Sequence, residues 1–141
     1  MLQEKNIAII GTGVMGKTLA LSLIRTGNLP PEQIAMAGPN TDRLNQLASE
    51  LGVRTFSDNQ AASNAADIII LAVKPQRLDE ATQALNGNLS SGKLVISILA
   101  GVPISVLEQK LATRCIVRAM PNTPARIGLG ITVWTKAADV D

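Results

Sequence analysis

The segment Gly11-Thr12-Gly13-Val14-Met15-Gly16 constrains the fold of this chain more tightly than any other. It follows the apolar run 7–10 and opens a stretch in which Met15, Leu19, Ala20, Leu23 and Ile24 recur at helical spacing, so the local structure reads as strand, tight turn, helix. In that setting each glycine has a physical task. Gly11 permits the turn, Gly13 lets the backbone come close to a ligand, and Gly16 lets the helix lie against the strand. The start of the helix offers unpaired N–H groups and the positive end of its dipole, which together suit a diphosphate. Three glycines alone would also fit a turn with no ligand; their position at the start of a strand–helix unit is the context that a dinucleotide-binding fingerprint requires.

The rest of the chain repeats the same alternation. Arg25, Gly27 and Pro30-Pro31 stop the first helix, and a strand follows at 33–37. Gly38-Pro39-Asn40 is a turn, with Asn40 or Thr41 placed to cap a helix whose apolar face is Leu44, Leu47, Ala48 and Leu51 and which Gly52 closes. Further strands are predicted at 53–56, 67–73, 94–98, 115–119 and 130–135, and further helices at 59–65, 78–85 and 104–111. Such alternation implies right-handed crossovers and a Rossmann-type, doubly wound, mainly parallel α/β sheet with helices on both faces. A chain of 141 residues has the size of one compact domain. The tail after Trp134 is too short for another helix–strand unit, so the domain is expected to span 1–141 and to end before its last helix and strand.

Composition excludes several function classes. The net charge is +2 and the basic residues are scattered, which removes nucleic acid from the expected partners. There is no histidine, and with it go Ser-His-Asp triads, His-ligated metals and the commonest general acid; no metal site is expected. Cys115 lies in an apolar run and reads as a small core residue. The longest apolar stretches, 68–73 and 94–102, fall far short of the ~20 residues of a membrane span, and glycines interrupt the N-terminal apolar run where a signal peptide would need continuity. A cytoplasmic protein is expected.

The remaining candidates sit at the carboxyl ends of predicted strands, where doubly wound folds bind ligands. An NAD site usually has Asp or Glu at the end of the second strand; here that slot holds Ala37 and Gly38, with Asn40, Thr41 and Arg43 close behind, which leans toward NADP with NAD as the alternative. Asn40 also reads as a plain helix cap and Arg43 as a solvated helix residue. Val73-Lys74-Pro75 ends the fourth strand and Ala100-Gly101 follows the fifth; Pro75 restrains Lys74 to extended backbone, whether as a site or as a simple strand stop. In Met120-Pro121-Asn122-Thr123-Pro124, two prolines make a stiff loop after the sixth strand that presents Asn122 in a fixed geometry, although composition alone favours a plain turn over a site.

The segments G-T-G-V-M-G, A-V-K-P-Q, S-I-L-A-G-V and V-R-A-M-P-N-T-P-A, in this order and over the whole chain, resemble the pyrroline-5-carboxylate reductases. The resemblance implies an NAD(P)H site formed by Ile10, Gly11, Thr12, Gly13, Val14, Met15, Gly38, Asn40, Arg43, Asn59, Ala72, Val73, Lys74, Pro75, Ala100 and Gly101. Met120, Pro121 and Asn122 would border the nicotinamide and the substrate ring, and no catalytic residue is assigned beyond them. Asn59, which follows Ser57 and Asp58, also reads as a helix cap. Two residues depart from the family's pattern: Arg126 is unusual, and Leu129 stands where members often have Glu. The implied reaction reduces the C=N bond of 1-pyrroline-5-carboxylate to L-proline, a step of proline biosynthesis. A protonated imine needs little further activation, so the lack of histidine fits. Family members are homo-oligomers through a C-terminal helical domain that also grips the substrate carboxylate, and this chain is expected to stop short of it and to be inactive alone. Two other readings remain: a non-catalytic NADP-binding relative or fragment, and a hydroxy-acid dehydrogenase with a G-x-G-x-M-G opening.

Overall fold

The computed structural model describes residues 2–122 and 132–141. Its centre is a seven-stranded sheet of strands β1 (Ile7–Ile10), β2 (Ile34–Ala37), β3 (Arg54–Phe56), β4 (Ile68–Leu71), β5 (Leu94–Ser97), β6 (Ile116–Pro121) and β7 (Thr132–Lys136). Their spatial order is β3-β2-β1-β4-β5-β6-β7. Strands β1 to β6 pair in parallel, and β7 runs antiparallel to β6. The order reverses beside β1, so the turn after β1 opens at the switch point where such sheets leave a crevice.

Residue parity along β1 explains the two-sided winding. Ile7 and Ile9 point to one face, where Ile34, Met36 and Ile70 join Ala20 and Leu23 of α1 (Val14–Arg25) and Leu47 of α2 (Thr41–Leu51). Ala8 and Ile10 point to the other, where Ala35, Ile69 and Leu71 meet Ala62 of α3 (Asn59–Asn64), Ala81 of α4 (Leu78–Gln83) and Leu107 of α5 (Ile104–Leu111). Every residue of β1 and β2 is buried, which is why these strands read as unbroken aliphatic runs.

Several boundaries differ from the sequence reading, each for a local reason. β4 covers only 68–71 because Ala72, although its N–H still reaches Ile10 O at 2.8 Å, turns the chain toward the 3-10 turn Pro75–Arg77. The α4 pattern ends at Gln83, and Leu85 packs into the core from the following turn. At the other edge β6 extends to Pro121, so Met120 and Pro121 are strand residues and not part of a loop: β7 lies alongside and pairs Met120 with Val133 and Pro121 with Thr132. Proline is tolerated there because it terminates the strand. The described part of the last strand reaches Lys136, while its expected start at Gly130, together with Thr123, Pro124, Arg126 and Leu129, lies outside the described residues.

Candidate functional site

The turn between β1 and α1 has the geometry that its glycines foretell. Gly11 has φ +122°, and a Cβ there would stand 2.5 Å from Ala72 O, so no larger residue fits. Gly16 lies against the turn itself, with a Cβ meeting Gly11 O at 2.4 Å. Gly13 is different: a Cβ would meet nothing within 4 Å, which leaves its main chain open to whatever occupies the cleft. It is also the N-cap of α1 and supplies no side-chain cap, whereas Asn40 caps α2 and Asp58 caps α3. The first N–H groups of α1 therefore look for an acceptor that the helix cannot give them.

Those groups border a cavity of about 500 Å³ at the carboxyl ends of β1, β2, β3 and β4. Of the residues singled out from sequence, Ile10, Gly11, Thr12, Gly13, Gly38, Asn40, Asn59, Ala72, Val73 and Lys74 line it together. Lys74 has the extended backbone that Pro75 imposes, φ −66° and ψ 145°. Asn40 accepts the Arg43 N–H at 2.9 Å, so its capping role and its place on the cavity wall coexist. Asn59 is not a cap: Asp58 accepts the N–H groups of Gln60 and Ala61, which leaves the Asn59 amide to donate to Ala81 O at 3.1 Å across to the end of α4. Arg43, also expected in the site, does not itself line the cavity, but its Nε donates to the O of Thr12, which does, at 3.0 Å.

Other candidates fall outside this cavity. Val14 is exposed at the start of α1, and Met15 is half-buried behind it. Pro75 is exposed in its 3-10 turn, Ala100 and Gly101 are exposed beyond β5, Met120 and Pro121 end β6, and Asn122 follows it. None of these lines the cavity. Conversely, the cavity wall includes Pro39, Ser57 and Asp58, and one face of α4 with the turn before it: Arg77, Glu80, Ala81 and Ala84. Sequence reading passed over that face. Its signal was present in the i, i+3, i+4, i+7 spacing directly after Val73-Lys74-Pro75, since one helical stripe must look at whatever the strand end looks at. Arg77 and Glu80 form a two-pronged ion pair there, Nε to Oε2 at 2.8 Å and Nη2 to Oε1 at 2.9 Å.

The arrangement fits a dinucleotide: an uncapped helix start and an open Gly13 for the diphosphate, no carboxylate at the end of β2, and apolar walls from Val73, Ala81 and Ala84 for a base. No cluster of His, Cys, Asp or Glu suited to a metal occurs among the described residues, and no helix there is long and apolar enough to cross a membrane.

Comparison with known proteins agrees with this geometry. Residues 6–101, more than half of the chain, match the family described as NADP oxidoreductase coenzyme F420-dependent. A pyrroline-5-carboxylate reductase from Vibrio alginolyticus is 39% identical over 132 residues, covering 93% of this chain and 48% of that protein. Among solved structures, a pyrroline-5-carboxylate reductase from Coxiella burnetii superposes with a TM-score of 0.90 at 35% identity, over 97% of this chain and 51% of that one. The Plasmodium falciparum pyrroline carboxylate reductase, solved with NADP bound, gives 0.86 at 28% identity, over 99% of this chain and 50% of that one. The chain thus spans about half the length of the curated relatives it matches. With its G-x-G-x-x-G turn and most of its sheet inside the matched region, the chain belongs to the NADP oxidoreductase, coenzyme F420-dependent family, and its likeness there is to the pyrroline-5-carboxylate reductases.

Proposed function

We propose that this chain is the dinucleotide-binding domain, across 1–141, of a pyrroline-5-carboxylate reductase, taking NADPH in the cleft above β1 and contributing its nicotinamide side to the reduction of 1-pyrroline-5-carboxylate to L-proline. The observation that carries the reading is Gly13, whose open approach lies at an uncapped helix start on the wall of a cavity large enough for a nucleoside. The N–H groups of the glycine turn and of the first turn of α1 hold the diphosphate, and the Arg43 guanidinium faces a 2′-phosphate near Asn40. Val73, Ala81 and Ala84 exclude water from the adenine. The bound cofactor supplies a hydride to the carbon of the C=N bond. Ala100 and Gly101 after β5, with Met120, Pro121 and Asn122 at the end of β6, lie on the side of the sheet toward which the nicotinamide extends, and they orient it against the substrate ring. A cyclic imine arrives protonated near neutral pH, so these residues need to position the rings and not to deliver a proton, which suits a chain without histidine. Grip on the substrate carboxylate and assembly into a homo-oligomer fall to parts of the whole enzyme outside this half.

Calorimetric titration of the chain with NADPH tests the reading; saturable binding is expected, and its absence would sink it. With pyrroline-5-carboxylate added, little or no NADPH oxidation is expected from the 141-residue chain. Saturable turnover would show that this half suffices.

A further inference from the structure

Arg43 is tied to the cavity rim at two points, and both tying groups line the cavity: its own N–H is held by Asn40 Oδ1 at 2.9 Å, and its Nε by Thr12 O at 3.0 Å. The guanidinium then continues into a chain of polar contacts that leads away from the cleft. Nη1 donates to Gln46 Oε1 at 3.0 Å, and Gln46 Nε2 donates to Glu50 Oε1 at 2.8 Å. The other Glu50 oxygen takes the ammonium of Lys17, on the helix that begins at the glycine turn. Arg43, Gln46 and Glu50 follow i, i+3, i+7 spacing down one face of α2, so the chain closes a loop through α1, the glycine turn and α2.

Two features make this more than surface decoration. The Gln46 amide accepts from Arg43 with its oxygen and donates to Glu50 with its nitrogen, a pairing that only one orientation of the amide satisfies. With Nε and Nη1 each engaged, Nη2 is the guanidinium nitrogen that no protein group takes among the described residues. A planar guanidinium held at two of its three nitrogens presents the third in a set direction, from which it can donate to a phosphate oxygen.

On the reading that the cavity holds a dinucleotide, we propose that the Gln46–Glu50–Lys17 chain sets the preference for a 2′-phosphorylated cofactor by holding the open Nη2 of Arg43 beside Asn40. Gln46, Glu50 and Lys17 are positioning residues that touch no part of the ligand, and Arg43 is the contact.

The test is the ratio of NADPH to NADH dissociation constants, measured by calorimetric titration of the full chain and of Gln46→Leu, Lys17→Met and Arg43→Ala. Leucine keeps the helix propensity of position 46 and removes both hydrogen bonds. Gln46→Leu is expected to weaken NADPH about tenfold while NADH stays within about twofold, Lys17→Met to shift the ratio in the same direction by less, and Arg43→Ala to abolish the preference. A Gln46→Leu ratio equal to wild type beside a collapsed Arg43→Ala ratio would overturn the inference and leave the dinucleotide reading standing. Equal weakening of both cofactors by Gln46→Leu would assign Gln46 a merely structural role and also overturn it. Wild-type chain that binds neither cofactor would remove the dinucleotide reading itself.

Discussion

At the scale of single residues, Gly13 and Gly16 separate function from fold. Both belong to one motif, yet a methyl group at Gly13 enters open space at φ −75°, while one at Gly16 runs into Gly11 O at 2.4 Å. Gly13→Ala is therefore expected to leave stability within about 0.5 kcal/mol and to weaken NADPH by about tenfold or more, since the methyl occupies the approach to the diphosphate. Gly16→Ala is expected to cost about 1–3 kcal/mol or more by overpacking against backbone. Paired urea unfolding and cofactor titrations check the contrast, and equal stability losses would show that Gly13 is merely structural. Glu50 offers a second test. Its carboxyl is held below the ordinary carboxylate value by the Lys17 hydrogen bond first, then by that from Gln46. A depressed folded-state pKa means that its contribution is complete above the unfolded value and fades as pH falls through the folded one. An NMR titration should place the Glu50 midpoint below that of an unstructured glutamate, and Lys17→Met should move it back upward. The tight turn at Gly11 and the close packing at Gly16 were legible because glycines at that spacing, set between a strand and a helix, encode them. Arg77 and Glu80 were passed over although their helical spacing after Val73-Lys74-Pro75 marked a stripe, because spacing does not say that the stripe faces a cavity, which is a tertiary fact. Asn59 was ambiguous for a smaller reason: with Asp58 beside it, a one-residue choice decides which is the cap.

At the scale of elements, sequence periodicity found every strand and α-helix of the described residues but not always their ends. Ends depend on partners. β6 lengthened to take in Met120 and Pro121 because β7 came alongside it antiparallel, and no pattern within 115–119 announces that neighbour. Helix ends follow local chemistry more closely: Gly52 closes α2 in the left-handed region, with its N–H on Ala48 O at 3.0 Å. α5 closes the same way with the wrong residue. Ala112 takes φ 51° there, the one non-glycine in that region among the described residues. An L-residue with a Cβ pays strain of roughly 1–2 kcal/mol in that conformation, and glycine would relieve it at the expense of some added unfolded-state entropy. Ala112→Gly is expected to stabilise the chain by up to about 1 kcal/mol. A chemical denaturation midpoint that stays put or falls would count against this account of the helix end. The far terminus of α3 is closed by a side chain instead, with Lys93 Nζ donating to Ser63 O at 2.9 Å and also to Ala66 O. That closure draws on a residue in the loop before β5, a contact invisible to any window of local sequence.

At the scale of the whole molecule, the sheet divides the expected cofactor site unequally. The turn after β1 and the ends of β2, β3 and β4, with one face of α4, enclose a cavity of about 500 Å³, but the ends of β5 and β6 contribute nothing to it, and Ala100, Gly101 and Met120 are exposed. The enclosed part spans the ends of β3, β2, β1 and β4, room for the adenosine and its 2′-phosphate; the nicotinamide would extend beyond it, over the ends of β5 and β6, which line no part of the cavity. Binding energy comes from desolvated contacts with a preformed site, so an exposed ring adds little to affinity and what it adds must offset its lost freedom. It follows that 2′,5′-ADP, which carries the 2′-phosphate, the adenosine and one phosphate of the diphosphate, should bind this chain within about tenfold of NADPH, whereas nicotinamide mononucleotide should not bind detectably. Calorimetric titration of the three ligands distinguishes the possibilities. NADPH binding a hundredfold or more tighter than 2′,5′-ADP, a gap of about 2.7 kcal/mol, would mean that the ends of β5 and β6 already grip the nicotinamide in this half of the enzyme. A small gap would mean that the ends of β5 and β6 in this chain add little grip on the nicotinamide, as their absence from the cavity wall implies.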